Sequence, residues 1–205
     1  MQLRQKTQLT SHEYVTGRAW RQATLERCPL HPAGGCGLAR HGTYRRVEPP
    51  GTEVARFYCR LGHTTFSLLP DCLSSRLSGS LDEVEQVVAA VEAGTTLEVT
   101  AAKLRPDIAL PGALRWVRRR VAAVRTALLA MVTLMPDVLA ASPSLSAVRE
   151  TLGTKRALVA LREVGARHLA ALGPPFGFGP RPTVGVANRG RSQHETGTGP
   201  PVVTR

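Results

Sequence analysis

The segment CPLHPAGGCG, Cys28 to Gly37, and the shorter CRLGH, Cys59 to His63, decide how the whole chain is read. Each sets two metal-ligating residue types around a turn built from Pro or Gly. Between them Arg40–Val47 and Glu53–Tyr58 are rich in Tyr, Val, Thr and Phe, and Glu48-Pro49-Pro50-Gly51 separates them. This reads as a β-hairpin, with Thr64–Leu68 available as a third strand. So short a hairpin buries too little surface to hold itself. A tetrahedral Zn²⁺ clamped by thiolate and imidazole ligands supplies the missing folding energy. The spacing points to Cys28, Cys36, Cys59 and His63 as the ligands, with His31 as the substitute for Cys36, since Cys28-x-x-His31 is itself a legal pair. Gly62 and Gly37 let the backbone turn tightly beside the ligands and aim amides at sulfur.

Working outward, the character of the chain changes on both sides of this module. Residues 1–23 are polar and basic, an arm or a weak helix with Tyr14 and Trp20 as large anchors. The metal module is expected to span 24–79. Cys72, in LPDCLSS, stands away from both turns and reads as a buried free thiol, and His41 as a surface or packing residue. Residues 80–136 and 137–172 carry apolar residues at three- and four-residue spacing, the mark of amphipathic helices. Residues 173–205 are saturated with Gly and Pro and have no period, so disorder is expected there.

The helical signals are specific. Ser80-Leu81-Asp82-Glu83 is a capping box, followed by Leu81, Val84, Val88 and Val91 on one face and Gly94 as a stop. Thr95-Thr96-Leu97-Glu98 opens a second, short helix that Pro106 ends. Pro111 suits the start of a third, reaching Leu134, with a buried stripe of Leu114, Val117, Val121, Val124, Leu128 and Met131. Arg115, Arg118, Arg119 and Arg125 fall on another side. Two short helices before a longer Arg-rich one suggest a helix-turn-helix-type arrangement, the last helix entering the DNA major groove. The competing reading makes these arginines the solvated face of a bundle. Ser144–Leu152 and Lys155–Leu172 predict two more helices, with Leu158, Leu161, Val164 and His168 on one side, packing on the third helix or mediating homo-oligomerisation.

Charge bears on partners. Among 205 residues, 27 Lys+Arg stand against 15 Asp+Glu, a net +12, and all but three of the basic residues are Arg. Such a chain attracts polyanions, and Arg forks grip phosphate and guanine edges. Arg45, Arg46 and Arg56 on the hairpin, with Arg115, Arg118 and Arg119, are the expected DNA contacts. No apolar stretch of membrane-spanning length and no signal-peptide core appear, so the expectation is a cytoplasmic protein without a membrane partner, whose cysteines bind metal or stay reduced.

These residues also carry a resemblance. Cys28-Pro29 and Cys36-Gly37, then Arg40-His41-Gly42, Tyr44 and Arg45, then Cys59-Arg60 and Thr65-Phe66-Ser67-Leu68-Leu69-Pro70-Asp71, resemble the N-terminal zinc-ribbon and helix-turn-helix region of bacterial insertion-sequence transposases and related small zinc-ribbon proteins. The chain departs from that pattern at Gly62-His63, where the family has Cys-Gly, which assigns the fourth ligand to His63. The resemblance covers about residues 25 to 130. It implies DNA recognition at mobile-element ends, or a regulatory derivative of it. It does not imply catalysis, because no strand-rich region remains for the acidic residues of a two-metal nuclease. The expectation is therefore an α+β, mostly α, non-enzymatic protein: a zinc-stabilised DNA-binding protein, or alternatively a zinc-ribbon interaction adaptor that oligomerises through its helices.

Overall fold

The computed structural model describes residues 1–139 and 143–179. The fold is α+β and mostly α: a four-stranded sheet and six α-helices. β1 (Gln2–Gln5), β2 (Ala39–Arg45), β3 (Glu53–Cys59) and β4 (Thr64–Pro70) lie in the order β1-β4-β3-β2. The last three make the antiparallel meander that the turn residues predict. β1 joins parallel to β4, with Gln2 opposite Ser67 and Gln5 opposite Pro70. Residues 1–23 thus supply an edge strand, then α1 (Ser11–Thr16), capped by Thr10 and Glu13, and a single tight turn at Ala19–Arg21.

Strand alternation sorts the side chains. Phe57 faces Phe66 across β3 and β4, and Ala55 and Leu68 share their side. That side is covered by the N-terminal segment, whose buried Tyr14 and Trp20 rings lie 5.7 Å apart. Arg40, opposite Phe57, locks the segment down by donating to the carbonyls of Trp20 (2.6 Å) and Ala23 (2.9 Å). The opposite side carries Arg56 and Tyr58, opposite Ser67 and Thr65.

The helices follow their caps. Ser80 and Glu83 close the expected box at the start of α2 (Leu81–Glu92), and Thr96 accepts from Val99 N at the start of α3 (Leu97–Leu104). α4 (Leu110–Leu134) has Pro111 in its first turn, where a missing N–H costs nothing. Its buried stripe includes Val117, Val121, Val124, Leu128 and Met131, but Leu114 is only partly buried and Arg120 turns inward. Arg120 lies 3.8 Å over the Trp116 ring and donates to the Ser78 carbonyl at 2.7 Å. α5 (Leu145–Leu152) and α6 (Ala157–Val164) complete the bundle.

The predicted helix over Lys155–Leu172 is interrupted. α6 stops at Gly165, a tight turn follows at Ala166–His168, and Val164 is exposed while Arg162 is buried beside Leu158 and Leu161. Two buried charges organise this region. Glu85 accepts from Arg149 and from the first amides of α6, Ala157 N (3.0 Å) and Leu158 N (2.9 Å), capping that helix. Arg162, fully buried, donates to the carbonyls of Pro70, Asp71, Leu73, Pro175 and Phe176 at 2.7–3.1 Å. It joins the end of β4 to the residues after α6. The expected disorder therefore does not begin at residue 173: Phe176 is buried in the helical core. The remainder of that expectation, 180–205, lies outside the described residues. Among the described residues, no helix is long and apolar enough to cross a membrane.

Candidate metal centre

Cys28, His31, Cys36 and Cys59 converge where β3 turns into β4, their ligand atoms all within 4.8 Å of one another. The three thiols are buried, the imidazole half-buried, and no disulfide joins them. A tetrahedral ion with bonds of about 2.3 Å to sulfur spaces its ligands by about 3.7 Å. The His31 Nδ1 contacts, 3.6 Å to Cys28 Sγ and 3.4 Å to Cys59 Sγ, fit that spacing. A three-cysteine, one-histidine set of this kind can hold a metal ion.

Local chain geometry builds the cluster. His31 N bonds back to the Cys28 carbonyl at 3.1 Å, so the Cys28–His31 turn closes on itself. Leu61 N donates to the Cys36 carbonyl at 3.2 Å and clips the two cysteine-bearing loops together. Gly62 N donates to Cys59 Sγ at 3.2 Å, the amide-to-sulfur bond expected of a glycine in this turn. A Cβ at Gly62 would sit 2.9 Å from Leu30 Cδ1 and 3.3 Å from both Cys59 Sγ and His31 Cε1. A larger residue there would push the Leu30 side chain aside and crowd Cys59 Sγ and His31 Cε1.

The ligand set differs from the sequence expectation at one position. His63 is not in the cluster; His31 is, and it stands beside Cys36 rather than replacing it. The reason is directional. His63 has a left-handed backbone (φ 44°), and its ring meets the Tyr58 hydroxyl at 3.2 Å. Tyr58 and Cys59 are adjacent in a strand and point to opposite faces, so a ring turned toward one is turned from the other. Counting residues from Cys59 cannot reveal that turn. The Cys28-x-x-His31 spacing was the signal for His31.

Electrostatics within the cluster are uneven. Burial pushes the Cys28 thiol up, but the contact with His31, helped by the amides of Leu30 and His31, outweighs it and holds Cys28 at about 6. Burial pushes Cys36 up, reinforced by its hydrogen bonds to Cys59 and Cys28. A metal that binds here displaces the thiol protons still held. Cys72 is separate: it lies buried beneath the sheet, its thiol pushed up to about 12 by burial.

The six expected DNA-contact arginines are not one patch. Arg45 and Arg56 sit on opposite faces of the sheet, and Arg45 forms a loose 3.7 Å pair with Glu53. Arg46 donates to the Leu77 carbonyl. On α4, Arg115, Arg118 and Arg119 are exposed and make no ion pair among the described residues. No known family model matches the chain, and no curated protein or solved structure matches it either.

Proposed function

We propose that this chain is a zinc-stabilised DNA-binding protein, an accessory or regulatory relative of bacterial transposases that carries no catalytic core. The observation that carries the reading is the exposed arginine set Arg115, Arg118 and Arg119 on the first half of α4, without an ion pair among the described residues. α2, α3 and α4 stand in the order of a helix-turn-helix unit, with α4 as the groove-entering helix. The Cys28, His31, Cys36 and Cys59 cluster serves as a closed structural clamp for Zn²⁺, four protein ligands leaving no open position for a substrate. Arg56, on β3 like Cys59, adds charge near the clamp, Arg45 adds it at the Glu53 end of the same strand pair, and the setting is a bacterial cytoplasm.

The test is binding to a random-sequence DNA duplex across a salt series. Each phosphate contact contributes about 0.9 to the slope of log affinity against log salt. Replacing Arg115, Arg118 and Arg119 with Glu is expected to make that slope shallower by about 3 and to weaken binding strongly. Binding that is indifferent to salt, or unchanged in the triple variant, overturns the reading.

A further inference from the structure

The sheet has one covered face and one open stretch. The Phe57 and Phe66 side lies under the N-terminal segment; Tyr58 and Arg56, on the other side, are only half-buried. Around Tyr58 the structure gathers a small aromatic group. The His41 ring, carried outward by the bulge between Arg40 and Thr43, lies 5.6 Å from the Tyr58 ring, tilted by 40°. The exposed His63 ring meets the Tyr58 hydroxyl from the other flank. Arg56 stands two residues away on the same face, about 7 Å along the strand. It makes no ion pair among the described residues.

The other residues of the open stretch are neutral, Gln2 on β1 with Thr65 and Ser67 on β4, while Val54 and Leu69 further along the same face are fully buried. Arg4, further along, is already neutralised by Asp71 and Glu163. The surface therefore combines π faces, one uncommitted guanidinium and hydroxyl or amide groups, with no carboxylate facing Tyr58 from these strands. It is too polar for the apolar centre of a protein interface. It has the composition that binds exposed nucleobases, where aromatic rings stack on bases and Arg takes the phosphates.

We propose that the Tyr58 face of the sheet is a stacking platform for single-stranded nucleic acid, with Tyr58 and His41 receiving bases and Arg56 a backbone phosphate. This rests on the nucleic-acid reading above and adds a second mode to it: duplex on α4, unpaired bases on the sheet. Bases inside a duplex are already stacked and cannot use the platform. The platform therefore selects the strand that is open, as at a melted or nicked element end.

The experiment compares the full-length, zinc-loaded protein on three fluorescent probes: an oligothymidine of about 12 nucleotides, within the span such platforms cover, an abasic strand of equal phosphate number, and a duplex. Oligothymidine is expected to bind at least about tenfold more tightly than the abasic strand, since each stacked base contributes a factor of this order. Tyr58→Ala is expected to remove that preference and leave duplex binding unchanged, while Tyr58→Phe, which keeps the ring, retains it. Zinc content and helical circular dichroism of each variant report its folding. If Tyr58→Ala fails to fold, the wild-type comparison of base-bearing and abasic strands still decides. Equal affinity for the two strands, or an unaffected Tyr58→Ala, overturns the platform while salt-dependent duplex binding leaves the α4 reading standing. Loss of duplex binding alone overturns the α4 reading and leaves the platform.

Discussion

β4 runs between two concentrations of electron-rich atoms. At its Thr64 end, three thiols and an imidazole converge in a set suited to an added metal cation. At its Pro70 end, five backbone carbonyls converge on the guanidinium of Arg162, a cation the chain carries itself. The strand between them is seven residues, roughly 20 Å. The contrast is between conditional and built-in order. On the proposed reading the Cys and His lobe depends on metal supply and on proton competition, because thiolates would be the ligands. The Arg162 hub depends on neither, for a guanidinium holds its charge even when burial lowers it to about 10.

Breaking the built-in end should cost most. Arg162→Met leaves five buried carbonyls without their donor, and a loss of about 3–5 kcal/mol is expected, the range for stripping a partner from a buried charged network. Denaturant unfolding measures it; a loss below about 1 kcal/mol would demote the hub to packing. The conditional end comes next. Free zinc at about a hundredfold over its dissociation constant should add about 2.7 kcal/mol. Chelation should remove that increment, with amide exchange accelerating over Cys28–Gly37 and Cys59–Thr64 before α2 and α4. Simultaneous acceleration everywhere would erase the distinction between the two ends.

A finer cut separates the two histidines. His31→Ala should weaken zinc binding by at least about tenfold, a factor that even outer-shell changes reach. His63→Ala should leave it nearly unchanged. The reverse order in a zinc competition titration would restore His63 to the ligand set. The smallest effect belongs to the exposed rim of the Arg162 end. Hydrogen bonds from Arg4, and then from Lys6, hold the Glu163 carboxyl below its ordinary value. Its contribution is present at neutral pH and disappears as acid protonates it, below the usual carboxylate range. Half-exposed pairs of this kind contribute well under about 1 kcal/mol. Glu163→Gln should flatten that part of the stability–pH curve, which a thermal series at pH 3 to 7 can resolve.

The sequence was most legible where local chemistry acts alone. Ser80 with Glu83 and Thr96 with the Val99 amide are satisfied within four residues, so the caps appear where the letters place them. The Pro-Pro-Gly turn likewise announces β2 and β3. Long-range facts were less visible. Gln2–Gln5 has no alternation to mark it as a strand, and it becomes one because β4 offers an open edge. Arg120 and Arg162 look like surface residues in any helical pattern. They are buried because distant carbonyls, at Ser78 and at Pro70 to Leu73, need donors. At the candidate site, the cysteines Cys28, Cys36 and Cys59 could be picked out by spacing, but choosing between His31 and His63 required the direction of a ring.

The burial of Cys72 gives the molecule a staged chemical readout. Of its four cysteines, three belong to the candidate metal cluster and one lies in the core beneath the sheet. If the cluster holds zinc as proposed, a thiol reagent applied to the loaded, folded protein should meet none of them in reactive form. Chelation releases the cluster's three, and only unfolding releases the fourth. Two events that circular dichroism would blur, metal loss and core opening, thus become separate integers in one titration, and the size of each step reports which end of β4 has given way.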